Sequence, residues 1–226
     1  MIRAVVLDIA ECVVNCEREY RQWANWLGVP AHTFAAAVGV ALSRGLEEHD
    51  ALGLLIPGTD LAAARARRAA EDDLERFTEQ DLYPDVRPTL VTLCAAGVWT
   101  GIAGNQTAKS LGILRSLDLP CDLIATSEQW GVAKPDPGFF ERLVECAPFQ
   151  PDEIIYVGDR LDNDIHPAAT VGLHTALIRR GPWNLVQQIL DGDEPTMHID
   201  SLSELPDLIA TFNARSRLNL EDRLGS

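Results

Sequence analysis

Lysine is almost missing from this chain: Lys109 and Lys134 stand against seventeen arginines. Basic blocks are missing as well, and a formal net charge of −15 is spread along the 226 residues. That excludes nucleic acid and anionic membrane surfaces as natural partners, because both require clustered positive charge. No run of residues approaches the ~20 consecutive apolar positions of a membrane-crossing helix. The N-terminus enters a strand-like segment without a long apolar signal region, so the expected location is the cytoplasm. The five cysteines (Cys12, Cys16, Cys94, Cys121 and Cys146) contain no CxxC pair. Cys12 and Cys16 are four residues apart, but no second pair of His or Cys completes a zinc site. They are expected to be buried free thiols of a reducing compartment. The histidines are scattered without metal-ligand spacing and are expected to be structural. His166, two residues past Asp164, is the one near any candidate site.

What is present is ordinary globular material, 46% hydrophobic and 23% charged. The segment 2–9, Ile-Arg-Ala-Val-Val-Leu-Asp-Ile, reads as a first central strand. From about 17 to 80 the pattern is helical without strands: Glu17–Leu27, about Ala31–Leu46 and Asp60–Gln80 are predicted helices. The stretch 51–58 reads as a loop closed by Pro57-Gly58. From Pro84 onward short apolar strands alternate with helical segments. Strands are predicted at 98–103, 121–125, 153–157 and 174–178, with an edge strand at 197–199. Helices are predicted at 86–96, 107–117, 137–146, 162–171 and 184–190, and from 202. This alternation predicts βαβ units and a parallel sheet. The chain divides into an α/β core, 1–14 and 84–213, an inserted helical cap, 15–83, and a polar, frayed tail, 214–226.

Chemistry is expected at the carboxyl ends of the strands. Ile154-Ile155-Tyr156-Val157-Gly158-Asp159 delivers an acid to a strand tip, and Asp164 follows one helical turn later. Two carboxylates this close repel unless a cation lies between them, and an all-oxygen ligand set suits Mg²⁺. A plain polar turn, with Asp162 or Asn163 capping a helix, fits the same letters. The strand at 2–7 also ends in an acid, Asp8. Two further strand ends carry Gly104-Asn105 and Lys134-Pro135. Lys134 also reads as a surface lysine ahead of a proline-terminated loop.

The order Asp8, Gly104-Asn105, Lys134 in Val-Ala-Lys-Pro-Asp-Pro-Gly-Phe-Phe, then Gly158-Asp159…Asp164, resembles the haloacid dehalogenase-like superfamily, mostly Mg²⁺-dependent phosphohydrolases. The resemblance spans nearly the whole chain and implies a Rossmann-like parallel sheet with a helical cap inserted after the first strand. It makes Asp8 the nucleophile that forms an aspartyl-phosphate. Asp8, Asp159 and the main-chain carbonyl of Ala10 would hold Mg²⁺, and Asp164 would hold a metal-bound water or Lys134. Gly104, the Asn105 N–H and Lys134 would face the phosphate. The implied substrate is a small phosphorylated metabolite. A catalytically silent member binding a phospho-ligand, metal or protein is the alternative.

The departures from the family pattern are specific. Its first motif is usually Asp-x-Asp-Gly-Thr, whereas this chain has Asp8-Ile9-Ala10-Glu11-Cys12, so the usual acid/base is replaced by Ala10. Glu11 is adjacent, but on an extended segment consecutive side chains point to opposite faces, which makes it a poor substitute. The usual Ser or Thr of the second motif is Gly104. Alanine after the nucleophile occurs in the phosphonoacetaldehyde-cleaving branch, but that chemistry needs a cap lysine and residues 15–83 contain none. The metal-free dehalogenase branch is disfavoured by Ala10 and Asp159. The run 103–110 has the length of a nucleotide-binding P-loop but lacks both required glycines, leaving Lys109 as a solvated helix residue. In the cap, Trp23, Trp26 and Phe34 are expected to pack its core. One of Arg18, Arg21 and Arg44 is a candidate for an anionic substrate.

Overall fold

The computed structural model describes residues 1–58, 60–71, 78–189 and 194–224. Six parallel strands form one sheet: β1 (Ala4–Leu7), β2 (Trp99–Gly104), β3 (Leu123–Thr126), β4 (Ile154–Gly158), β5 (His174–Ile178) and β6 (Met197–Ile199). Their order is β3-β2-β1-β4-β5-β6, with Leu7 opposite Ile102 on one side and Val157 on the other. Strand order therefore reverses between β1 and β4, the place where open parallel sheets bind ligands at their carboxyl ends.

The central strands are apolar on both faces because helices cover both. With a period of two, Val5, Leu7, Ile155 and Val157 face one cluster, and Ala4, Val6, Ile154 and Tyr156 face the other. The first face is covered by α5 (Val86–Ala95) and α10 (Leu205–Leu224), through Leu90, Leu93, Leu205 and Ile209. The second is covered by α8 (Pro137–Cys146), through Phe139, Phe140 and Leu143. Asp136 caps α8 by accepting the Gly138 N–H, and Pro137 opens it. The remaining core helices are α6 (Ala108–Ser116), α7 (Ser127–Trp130) and α9 (His166–Thr170).

Between β1 and α5 lie α1 (Glu17–Leu27), α2 (Ala31–Ser43), α3 (Ala51–Leu55) and α4 (Leu61–Glu71). They have their own apolar cluster, in which Ala24, Phe34, Val38, Leu42 and Leu52 are buried. Gly28, at φ 69°, ends α1 in the left-handed conformation that glycine adopts without steric cost. Among the described residues no single helix is long and apolar enough to cross a membrane.

Several elements differ from the sequence expectation. The loop expected at 51–58 holds the helix α3, because burying Ala51 and Leu52 against α2 outweighs its short length. Helix α7 was hidden by its four-residue length. The segment after Gly158 forms a π-helical turn, Leu161–Ile165, before α9. The helix expected at 184–190 is reduced to a 3₁₀ turn, Trp183–Leu185, and residue 190 lies outside the described residues, as do 72–77 of the long helix expected to reach Gln80. The stretch expected to fray from 214 continues α10 to Leu224. The Asn213 side chain anchors that helix, accepting from Ile2 N at 2.7 Å and donating to Ile2 O at 2.8 Å. All five cysteines are free, but Cys94 and Cys146 are exposed on the outer faces of their helices rather than buried.

Candidate active site

Asp8 leaves β1 at its carboxyl end, its N–H still in the ladder with Val157 O at 2.8 Å. Asp159 leaves β4 beside it. Asp164 reaches the same place because the π-helical turn folds its carboxylate back, where it accepts the Arg160 N–H at 3.0 Å. Two glycines make room. A Cβ on Gly158 would lie 2.4 Å from Asp164 Oδ2, and one on Gly104 would lie 2.3 Å from Asp8 Oδ1. No side chain fits at either position with the two acids as they stand.

Lys134 arrives from the loop before α8, and its side chain is 1% exposed, so the surface-lysine reading fails. Its ammonium donates to Asp8 Oδ1 and Asp164 Oδ1, each at 2.6 Å, and to the Tyr156 hydroxyl at 3.1 Å. Tyr156 in turn donates to Ala103 O at 2.9 Å. The Asn105 side chain staples this loop to β2, donating to Lys134 O at 2.9 Å and accepting from Lys134 N at 2.8 Å. Asn105 therefore sets where the lysine backbone sits.

The charges do not balance. Oxygens of Asp8, Asp159 and Asp164 lie within 4.8 Å of one another, all three residues are buried, and among the described residues Lys134 is the only cation bonded among them. Burial favours the neutral amine of Lys134, yet the Asp164 and Asp8 carboxylates outweigh it and hold the ammonium charged. Burial pushes the Asp159 carboxyl well above the usual carboxylate range, and the charges of Asp164 and Asp8 push the same way. Burial also raises Asp164, against the pull of Lys134. Among the described residues no hydrogen bond reaches the Asp159 carboxylate; only its backbone carbonyl accepts, from Gln187 Nε2 at 2.8 Å. A buried acid without a donor, facing two more acids, fits a divalent cation held by oxygen ligands.

A cavity of about 510 Å³ opens above these groups, its floor formed by Asp8, Asn105, Lys134 and Asp159 and its walls by Ala10, α1, α2 and the loops at Glu47 and Trp183. Glu11 lines it too, against the expectation of an extended segment. Its φ of 52° turns the chain sharply after Ala10. The buried carboxylate accepts from the Tyr83 hydroxyl and, at 3.3 Å, from Cys16 N. The arginines expected to face the substrate do not line the cavity. Arg18 forks onto Asp81 at 2.6 and 2.5 Å, Arg21 pairs with Glu17, and Arg44 is exposed. Lys109 is exposed on α6 as expected. Arg160, which does line the cavity, was not legible in advance, nor were Tyr156 and Glu48. Tyr156 had a signal: a tyrosine in an aliphatic buried strand needs a partner for its hydroxyl.

Comparison with known proteins agrees with this geometry. A relative from Methanopyrus kandleri named glyceraldehyde 3-phosphate phosphatase is 38% identical over 141 residues, 59% of this chain and 59% of its own length. The ribulose-1,5-bisphosphate 5-phosphatase of Halopiger xanaduensis is 33% identical over 174 residues, 74% of this chain and 70% of its own. The chain thus spans a little over half the length of the first of these relatives. In fold it is similar to the HAD-hydrolase YfnB of Bacillus subtilis bound to magnesium, with a TM-score of 0.70 at 19% identity, covering 92% of this chain and 98% of that one. The family model for haloacid dehalogenase-like hydrolases matches residues 2–172, from β1 through all four strand-tip motifs. The acids at the ends of β1 and β4 and the buried lysine all lie within that match, and the chain belongs to the haloacid dehalogenase-like hydrolase family.

Proposed function

We propose that this protein is a Mg²⁺-dependent phosphohydrolase of small phosphorylated metabolites, with residues 15–83 acting as a cap over the site. The observation that carries the reading is the buried group of Asp8, Asp159 and Asp164 around Lys134 at the floor of a cavity. The phosphatase names of the relatives support the reaction class.

Asp8, Asp159 and the Ala10 carbonyl would hold the metal, with Asp164 beside them. When bound, the metal neutralises phosphate charge and so permits an anionic nucleophile to approach. An Asp8 oxygen attacks phosphorus, a P–O bond forms to the carboxylate, and the bond to the leaving oxygen breaks. Water then attacks the aspartyl-phosphate, releasing inorganic phosphate and restoring the carboxylate. Lys134 holds Asp8 in place and presents positive charge to the phosphoryl oxygens. Asn105 supplies its N–H to the same group and fixes the lysine loop. Gly104 contributes backbone alone and leaves room for Asp8.

Ala10 carries no proton to give the leaving oxygen. Positioned general acids contribute about 10²- to 10⁴-fold, so esters with good leaving groups are the favoured substrates. Phosphate release from an aryl phosphate in Mg²⁺, compared between wild type and Asp8→Asn, tests the reading; equal rates in the two proteins would refute it.

A further inference from the structure

Glu11 is a buried acid in the cavity wall, and no step of the hydrolysis uses it. It stands where the family's first motif usually carries glycine, one residue after Ala10. Its φ of 52° is the left-handed conformation that glycine adopts freely and that a residue with a Cβ adopts only at a cost. A side chain held at such a position, only 6% exposed, needs compensation from its contacts.

Those contacts are specific. Gly181, in the loop after β5, leaves the space: a Cβ there would lie 2.7 Å from Glu11 Cγ. The Glu11 carboxylate accepts from Cys16 N at 3.3 Å through Oε1 and from the Tyr83 hydroxyl through Oε2. Cys16 stands directly ahead of α1, where the chain enters the helical insert, and Tyr83 lies where it returns, shortly before α5. One carboxylate therefore holds both linkers. The linkers are also stitched to each other, with Asn15 N donating to Asp81 O at 2.8 Å and Tyr83 N to Val13 O at 3.0 Å. On the core side Arg180, 10% exposed, lies over the Tyr83 ring at 4.1 Å from its centroid. It donates to Cys12 O at 2.9 Å and pairs with Asp85. Tyr83 is thereby fixed to the core, and Glu11 is fixed to Tyr83.

The same turn carries Ala10. Val13 N and Val14 N close it by donating to Ile9 O at 3.0 and 2.8 Å, and Glu11 N donates to Val14 O at 2.8 Å. None of the described hydrogen bonds ends on the Ala10 carbonyl, the oxygen that the reading above gives to the metal. That carbonyl lies in the planar peptide joining Ala10 to Glu11, so the φ of Glu11 sets its direction relative to the anchored side chain. Partners that orient metal ligands in this way typically govern 10- to 100-fold of metal affinity.

We infer that Glu11 is a positioning residue for the metal: its carboxylate, anchored by Tyr83 and Cys16, holds the Ala10 peptide in place and ties the metal site to both linkers of the cap. This rests on the Mg²⁺-dependent reading above and deepens it. Coupling between sites is reciprocal, so bound metal should also steady the linkers.

The test is Mg²⁺ affinity by calorimetry, set beside urea denaturation of the metal-free protein, for wild type, Tyr83→Phe, Glu11→Gly and Asp81→Asn. Tyr83→Phe removes one hydroxyl and keeps the ring against Arg180. Affinity should fall about tenfold, or about 1.4 kcal/mol. Glu11→Gly should lose at least as much affinity, yet stay close to wild type in stability, because release of the left-handed strain offsets the lost bonds. Asp81→Asn weakens the Arg18 fork on the returning linker without touching Glu11, and should leave Mg²⁺ affinity unchanged. In hydrogen exchange, Mg²⁺ should slow the Cys16 and Tyr83 amides of wild type and not those of Tyr83→Phe. Wild-type Mg²⁺ affinity in either Tyr83→Phe or Glu11→Gly would overturn the inference, as would an equal loss in Asp81→Asn; if one of the two variants fails to fold, the other decides. Those results leave the Mg²⁺-dependent reading standing, whereas a wild type that binds no Mg²⁺ overturns both.

Discussion

Removing Lys134 should damage the fold as well as the chemistry. In Lys134→Met the ammonium that bonds Asp8 and Asp164 at 2.6 Å each is lost, while three buried carboxylates remain within 4.8 Å of one another. Breaking a buried, hydrogen-bonded ion pair by deleting one partner costs about 3–5 kcal/mol, because the other charge is left unpaired. For a chain of this size each kcal/mol shifts Tm by about 2–4 °C, so a fall of roughly 6–20 °C is expected in metal-free buffer at neutral pH. The pH dependence has a definite sign. In wild type the folded-state pKa of Lys134 is raised, so its contribution is lost only as pH climbs past that value, well above neutrality. In the variant the Lys134 charge no longer opposes the upward shift of Asp159 and Asp164 caused by burial and mutual repulsion. Carboxyls with raised folded pKa values stabilise below their unfolded values, near 4, and lose that contribution as pH rises through the folded ones. Lys134→Met should therefore be closest to wild type near pH 5 and furthest from it near pH 8. Millimolar Mg²⁺ should restore part of the loss by mass action. Thermal and urea denaturation across pH, with and without Mg²⁺, measure all three effects. A loss below about 1 kcal/mol that does not vary with pH would refute the view that Lys134 is the cation holding these acids together.

Gly158→Ala places a Cβ 2.4 Å from Asp164 Oδ2 and should cost about 1–3 kcal/mol of stability by urea denaturation, together with weakened Mg²⁺ binding by calorimetry. Ala10→Asp restores the carboxyl that the family normally places there. It should raise kcat/KM for alkyl phosphates by about 10²-fold or more and aryl phosphates much less, so the dependence on leaving-group pKa flattens across an ester series. Arg160→Gln removes the fork onto Glu47, which ties the helical insert to the residue after Asp159. Glu47 is half exposed in that pair, so global stability should change by less than about 1 kcal/mol. Hydrogen exchange around 44–50 should nonetheless quicken.

Much of the cavity floor was legible because its parts are local in sequence. An apolar strand ending in Gly-Asp announces Asp159, and the same logic finds Asp8 and the lysine loop. Strand order was not written in those letters, but four acids and bases at strand ends make sense only if the strands are neighbours, as β1, β2 and β4 are. The cavity walls were much less legible. Arg18 and Arg21 looked available for a substrate, yet Asp81 and Glu17 claim them, and those partners depend on how the helices fold over. Arg160 is fixed by Glu47, which lies 113 positions earlier in the chain. The extended segment expected at Glu11 is not found, because the backbone there enters the left-handed region. Short-range pattern located the acids; tertiary contacts decided which charges stay free.

The most direct test of the central claim is whether Asp8 becomes phosphorylated during turnover. The protein is mixed with an aryl phosphate and Mg²⁺, quenched in acid, digested and analysed by mass spectrometry. One added phosphoryl group is predicted on the peptide containing Asp8, absent without Mg²⁺ and absent in Asp8→Asn. Phosphate release at the wild-type rate from Asp8→Asn, or a phosphoryl group found on a different residue, would contradict the account.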